Sequence, residues 1–292
     1  MSVFSLQLLN SLQVSALLFL LAVGLTIIFG LMDTLNLAHG AFLTLGAYCG
    51  VVIADLSGSF WVALVAAPVV PFALGAALQF FVLQPLKDRG RSSHLDLALL
   101  TFGLLFAMVG SIEWLFGPAF LNIAAPPALA GQFDLFGTPF PAYRLFTIVV
   151  GLVTAVVLWL FIEKTLMGAI LRAGVDRPEM VVAMGINLKM LFALIFGMGS
   201  ALAGFAGVIA APVMSVYSHL GSEMLIVSFV VVMIGGLGNI RGSFYASLIV
   251  GLTNTLSQAY IPGGEQFAIY ALLILVMVFR PQGLFSTAKR VG

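Results

Sequence analysis

The sequence predicts an all-α membrane protein, a polytopic bundle of about eight spans (seven to nine) with two broken or re-entrant elements. Three observations predict it. Only 8% of the 292 residues are charged, 12 Lys+Arg and 11 Asp+Glu, where a soluble domain of this length carries roughly 73 charges at about 25%. Hydrophobic residues make up 62%, too many for a surface facing water. The apolar residues also fall into runs of bilayer-crossing length, about 20 residues each.

The first run is Leu8–Phe29. MSVFSLQLLN before and within it lacks the positive n-region of a cleaved signal peptide, and the first basic residue is Lys87, so a retained span is expected. Phe42–Leu56 is long enough only for a tilted or partial span. Phe60–Leu83, Leu95–Phe116, Leu145–Ile162 and Met190–Pro212 are full spans. Met224–Thr255 is too long for one helix and is cut by Gly235-Gly236-Leu237-Gly238-Asn239. Phe267–Phe279 is short, with Glu265 and Gln266 as an interfacial extension. The chain reads as one transmembrane domain over 1–292.

The scarce basic residues set the orientation. Lys87, Arg89 and Arg91 share one loop, Lys164, Arg172, Arg177 and Lys189 another, and Arg280, Lys289 and Arg290 the C-terminal tail. The positive-inside rule places all three segments in the cytoplasm. Gly117–Tyr143, rich in Gly, Pro and Phe and carrying Asp134, then faces outward. The stretch 224–255 must start and end outside, as two short helices or a re-entrant hairpin turning at 236–242.

The two irregular stretches carry polar groups into apolar surroundings. One reads Asp33-Thr34-Leu35-Asn36-Leu37-Ala38-His39-Gly40, the other Gly235-Gly236-Leu237-Gly238-Asn239-Ile240-Arg241-Gly242. Non-helical backbone at membrane depth is tolerated where it is buried in protein or lines a watery cavity, and broken helices in transporters present free backbone groups to polar solutes. Asn36, His39, Gly40, Gly236, Asn239 and Arg241 are therefore candidates for a translocation path or gate. Ordinary turns between short helices explain the same residues, with His39 as a capping or packing residue. Gly46/Gly50 and Gly238/Gly242 fit close helix packing. Glu113, beside Trp114, fits interfacial snorkelling or a pathway role.

Other function classes fall away. Net charge +1 without a basic stretch argues against nucleic-acid binding. Cys49 stands alone, so no intrachain disulfide forms. No Gly-Lys dipeptide occurs, hence no Walker A loop, and any ATP must be bound by another subunit. His39, His94 and His219 lack metal-ligand spacing, so no metal or cofactor is expected. No catalytic motif supports an intramembrane enzyme.

Glu163–Lys189 is the one substantial polar segment. Asp176 caps, Pro178 suits a first turn, Glu179 favours the positive helix end and Gly185 suits the C-terminal stop. A short helix over about Arg177–Met184 is predicted, presenting Met180, Val181 and Met184 as an apolar patch for a cytoplasmic partner.

Four stretches together carry a resemblance over nearly the whole chain: Gly30–Gly46, Thr165–Asn187, Gly235–Gly242 and Phe279–Phe285 (FRPQGLF). In their order and spacing the chain resembles the permease subunits of branched-chain amino acid ABC importers, LivH type. The resemblance implies that Thr165–Asn187 is the coupling loop docking on an ATPase, with Gly168, Arg172, Ala173, Glu179, Ala183, Gly185 and Ile186 at matching positions. It also implies a related permease subunit as a heterodimer partner, two cytoplasmic ATPase subunits and a periplasmic binding protein that delivers the substrate. The location implied is the bacterial inner membrane. The alternative is a self-sufficient secondary transporter or channel for a small polar solute; it needs intramembrane carboxylates, and only Glu113 qualifies.

Overall fold

The computed structural model describes residues 2–32, 35–88, 93–135, 138–176, 178–261 and 263–285. Thirteen α-helices and one short hairpin make up the described chain, so the expected all-α architecture holds. Helix α1 runs over Ser2–Met32 and α2 over His39–Ser57. The second is a full 19-residue helix, longer than the partial span expected from Phe42–Leu56. Its extra first turn is recruited by packing, because His39, Gly40 and Ala41 are buried. Gly58 ends it in the left-handed conformation, φ 66°.

The third apolar run divides into α3 (Phe60–Ala66), α4 (Val69–Leu78), a π-helical turn at Gln79–Leu83 and α5 (Gln84–Asp88). Pro68 supplies no amide hydrogen and clashes with the preceding turn, which explains the break before α4. Helix α6 (His94–Phe116) opens with a capping box in which Ser93 and Asp96 exchange side-chain and backbone hydrogen bonds. Between α6 and α7 (Ala142–Lys164) lies a region that the sequence did not mark as β: strands β1 (Gln132–Leu135) and β2 (Thr138–Pro141) pair antiparallel. Then follow α8 (Leu166–Asp176), α9 (Pro178–Ala183), α10 (Leu188–Ala210), α11 (Leu220–Gly235), α12 (Ile240–Tyr260) and α13 (Glu265–Phe279).

Among the described residues, six helical segments are long and apolar enough to cross a membrane: α1, α2, α3 through α5, α6, α7 and α10. The pair α11–α12 passes the same test jointly but bends by 119°, and α13 is a shorter apolar helix. This is a multi-pass membrane protein.

The centre of the bundle is α1 between α10 and α12. Phe19, Leu20, Leu25, Ile28, Phe42, Phe196 and Ile209 are fully buried there. Lipid tails are as apolar as leucine, so burial alone does not hold such helices together; close packing and interhelical hydrogen bonds do. Glycines face glycines at the crossings: Gly24 with Gly199, Gly46 with Gly204, and Gly40 with Gly221. Thr26 and Ser243 share a hydrogen bond of 2.6 Å between α1 and α12. Gly46 and Gly50 thus mark packing, as their spacing suggests.

Candidate functional site

Three segments converge on one face of the bundle. Lys189 of α10 pairs with Asp88 of α5 at 2.6 Å. Arg241 of α12 pairs with Glu163 of α7 at 2.6 Å and lies 5.5 Å from the Trp159 ring centre. Asn239 donates its side-chain amide to the carbonyl of Phe285, and the amide of Leu284 donates to Ile234 O at 2.8 Å. The described parts of the first loop, the second loop and the C-terminal segment therefore share a face, as their basic residues demand. Of their basic residues, Arg89, Arg91, Arg177, Lys289 and Arg290 lie outside the described residues.

The second loop is more ordered than the sequence suggested. It contains α8 as well as the expected short helix. The period was there to be read, since Leu166, Met167, Ile170 and Leu171 recur at helical spacing. Gly168 packs so tightly on the α7 carbonyls of Phe161 and Ile162 that a Cβ would collide with them. Its amide donates to Thr165 Oγ1 at 3.0 Å, and Arg172 donates to Ile162 O. Together these bonds fold α8 back against the end of α7. Ala173 is half-buried on the same helix.

The expected Arg177–Met184 helix is α9, Pro178–Ala183. Arg177 lies outside the described residues. Gly185 follows at φ 79°, a conformation that glycine adopts without strain. Glu179, Ala183 and Gly185 are exposed and Ile186 is half-buried. One patch residue differs from expectation. Val181 is 0% exposed, whereas Met180, Val182 and Met184 are 59%, 55% and 64% exposed. The short helix turns Val181 inward, and Val182 takes its place. Leu166 and Met167 continue the apolar surface.

The two broken elements lie at different depths. Past the end of α1, the chain turns back into the bundle. His39 Nε2 lies 3.1 Å from Leu21 O, and Leu21 is about 16 Å along α1 from its end at 1.5 Å per residue. Asn36 and His39 are both fully buried. Asn36 Oδ1 accepts from Ala38 N at 3.1 Å, while Asn36 Nδ2 and His39 Nδ1 find no protein partner among the described residues. Here the first turns of α2 and α11 meet: Gly221 N donates to Thr44 Oγ1 at 3.0 Å, and Gly40 abuts Gly221. Asp33 and Thr34 of this element lie outside the described residues.

The second element sits at the loop face. Gly238 rests on Gly30, near the end of α1. Gly236 (φ 93°) abuts Gly283, and Asn239 caps α12 by accepting from Gly242 N at 3.0 Å. Arg241 is engaged by Glu163 and Trp159 rather than aimed into the bundle.

At the opposite end, Glu113 is half-exposed and lies 3.9 Å from His219 Nε2. Tyr217 donates to Glu223 Oε2 at 2.6 Å. Burial first, and then the Glu223 carboxylate, push the Tyr217 phenol up to about 12. Among the described residues no group of three or more His, Cys, Asp or Glu side chains is placed to hold a metal ion.

Residues 7–279 match the family described as branched-chain amino acid transport system / permease component. The chain is 27% identical over 296 residues to the high-affinity branched-chain amino acid transport system permease protein LivH of Escherichia coli (strain K12), covering 96% of this chain and 94% of LivH. It is 26% identical over 298 residues to BraD of Pseudomonas aeruginosa, covering 96% and 95%. It is 27% identical over 272 residues to a probable LivH of Methanocaldococcus jannaschii, covering 90% and 85%. Among solved structures it resembles PsaBC from Streptococcus pneumoniae in complex with Fab, at TM-score 0.49 and 16% identity, covering 94% of this chain and 91% of that one.

Proposed function

The chain belongs to the branched-chain amino acid transport system permease component family, and on that premise we propose that it is the inner-membrane permease subunit of an ABC importer for branched-chain or related amino acids. It lacks a phosphate-binding loop, so ATP is hydrolysed on two cytoplasmic partner subunits. A related permease subunit completes the path, and a periplasmic binding protein delivers the solute.

The observation that carries this reading is the exposed apolar set of α8–α9 on the face where the basic segments gather. Met180, Val182 and Met184 gain nothing from water, and a cleft in an ATPase subunit would cover them. Arg172, Ala173, Glu179, Ala183, Gly185 and Ile186 complete the coupling surface, and Gly168 seats α8 against α7 behind it. Closure of the ATPase pair on ATP drives these helices, and the bundle changes state because the two states contact the ATPase differently. Asn36, His39 and Gly40 are the interior part of the path, and Gly236, Asn239 and Arg241 its gate at the loop face.

With the loop face cytoplasmic, the N-terminus lies outside and the C-terminal tail inside. The number of crossings is then odd, seven or nine. The contact of Gly238 with Gly30 favours nine, because it carries the α11–α12 turn to the loop face.

The test is the reconstituted complex carrying Glu179→Ala or Arg172→Ala. Loss of binding-protein-stimulated ATPase and of uptake is expected. Wild-type values of both quantities in both variants would sink the coupling role.

A further inference from the structure

From Phe60 to Leu86 the third span carries two polar side chains, Gln79 and Gln84. Gln79 is fully buried, and Gln84 is buried too. They bracket the π-helical turn at Gln79–Leu83, in which Gln84 N donates to Gln79 O, five residues back. Pro85 accounts for this wider turn: it has no N–H to give, and its ring crowds the carbonyl of Phe81, four residues back. Single π-turns inside helices recur at functional sites. A chain of hydrogen bonds runs from this turn to the loop face. Gln79 Nε2 donates to Gln84 Oε1 at 3.1 Å, and Gln84 Nε2 donates to Asp88 Oδ1 at 3.0 Å. Lys189 Nζ pairs with Asp88 Oδ2 at 2.6 Å. The charged end forces the direction. A carboxylate only accepts, so Gln84 donates to it and turns its own Oε1 toward Gln79. Gln79 then gives its amide nitrogen and keeps Oε1 as the far end of the chain, buried and without a partner among the described residues.

An exposed ion pair such as Lys189–Asp88 contributes little by itself. Here it orders two buried amides behind it. It also stands where the coupling loop ends, since Asn187 Oδ1 accepts from Lys189 N at 3.0 Å and so caps α10. Beside Asp88, Lys87 Nζ donates to Met32 O at the end of α1, at 3.4 Å. Helix α5 is thereby tied to both α10 and α1. We propose that Gln79, Gln84 and Asp88 are positioning residues that form a strut between the coupling loop and the π-helical turn: displacement of Lys189 pulls α5, and the third span yields at Gln79–Leu83. A buried acceptor without a donor weakens the present arrangement, and it sits on the first residue of the π-turn, so this turn is where the span gives way. The strut rests on bonds within this chain; the force that moves it rests on the transport reading above.

The test uses the complete transporter in lipid bilayers. Gln84→Leu keeps the bulk and cuts both amide bonds, and Lys189→Gln removes the charge that anchors the chain. In hydrogen exchange the amides of Gln79–Leu83 should exchange several-fold faster in both variants, while those of α6 stay as in wild type. Lys189→Gln, at an exposed position, keeps this measurement open if Gln84→Leu fails to assemble. In vesicles loaded with ATP, the ATPase side inward, Gln84→Leu should keep the binding-protein-stimulated ATPase of wild type. It should lose about fivefold or more of the L-leucine moved per ATP, the lower end of ordinary coupling between sites. The double exchange Asp88→Lys/Lys189→Asp reverses the pair. The introduced ammonium donates to Gln84 Oε1, Gln84 Nε2 donates to Gln79 Oε1, and the strut is remade in the opposite direction. This variant should recover both slow exchange at Gln79–Leu83 and leucine moved per ATP, while either single exchange should not; glutamines that merely pack would give no such recovery. Unchanged exchange at Gln79–Leu83 in Lys189→Gln, unchanged leucine per ATP in Gln84→Leu, or a double exchange that stays uncoupled overturns the proposal. Faster exchange in the variants, with a wild-type complex that moves no leucine on ATP, would leave the strut standing and remove the transport reading.

Discussion

Gly40 and Gly46 lie along α2 where a Cβ would enter the backbone of Gly221 and Gly204. Gly40→Ala and Gly46→Ala should each cost about 1–3 kcal/mol by overpacking, read as a lower unfolding midpoint in detergent. Gly103 on α6 meets nothing within 4 Å, so Gly103→Ala should stay within about 1 kcal/mol, in the stabilising direction, from helix propensity. Equal losses at all three positions would mean that the crossings are not as close as described. Thr26 and Ser243 make a smaller contribution, about 0.6 kcal/mol for such a bond in a membrane; Thr26→Val and Ser243→Ala should therefore couple in a double-mutant cycle. Tyr217 gives a pH prediction. Its phenol is raised in the folded protein to about 12, so the neutral form is the stabilising one. That contribution is complete below pH 10 and is lost as pH rises toward 12. Phenolate absorbance should show a late-titrating group that Tyr217→Phe removes.

Helices α8 and α9 show how much an element owes to local signals and how much to its neighbours. Pro178, Glu179 and Gly185 made α9 legible, because they act through the first turn and the stop of the helix. The face it presents was not legible: a six-residue helix has no periodicity to average over, and the packing of Val181 settles its rotation. The β1–β2 hairpin was invisible for a related reason: QFDL alternates over only four residues, and TPFP carries two prolines, which are depleted in strands. The two broken elements were found by the same residue types, Asn, Gly and an ionisable group. Their depths were not, because depth is set by a tertiary partner, Leu21 for His39 and Gly30 for Gly238. If the exposed face of α8–α9 is a docking surface, Met180→Asp and Met184→Asp should leave stability within about 0.5 kcal/mol, as exposed substitutions do. They should nevertheless reduce co-purification of the ATPase subunits. A folding defect without loss of the partner would show instead that this surface is covered by the chain itself.

On the scale of the whole molecule, the distribution of charge makes the strongest claim. Ten of the 12 basic residues fall in three segments, and contacts from Lys189 to Asp88, Arg241 to Glu163 and Asn239 to Phe285 bring the described parts of those segments to one face. The end-to-end order of the helices then fixes the rest, because α7 carries the chain from the β1–β2 hairpin to Glu163 and cannot begin on the face where it ends. Contacts define the two faces, and the positive-inside rule predicts that the loop face is the cytoplasmic one. Cys49 is the chain's single cysteine, so a Cys49→Ser background allows each face to be probed with one thiol. Asp134 lies exposed on β1, and Met184 is exposed just past α9. In intact cells whose outer membrane has been made permeable, a membrane-impermeant maleimide should label Asp134→Cys and spare Met184→Cys. In inverted inner-membrane vesicles the pattern should reverse. Labelling of both thiols from one side would mean that α7 does not cross. Labelling with the opposite sidedness would put α8–α9 outside, where no ATPase could meet them.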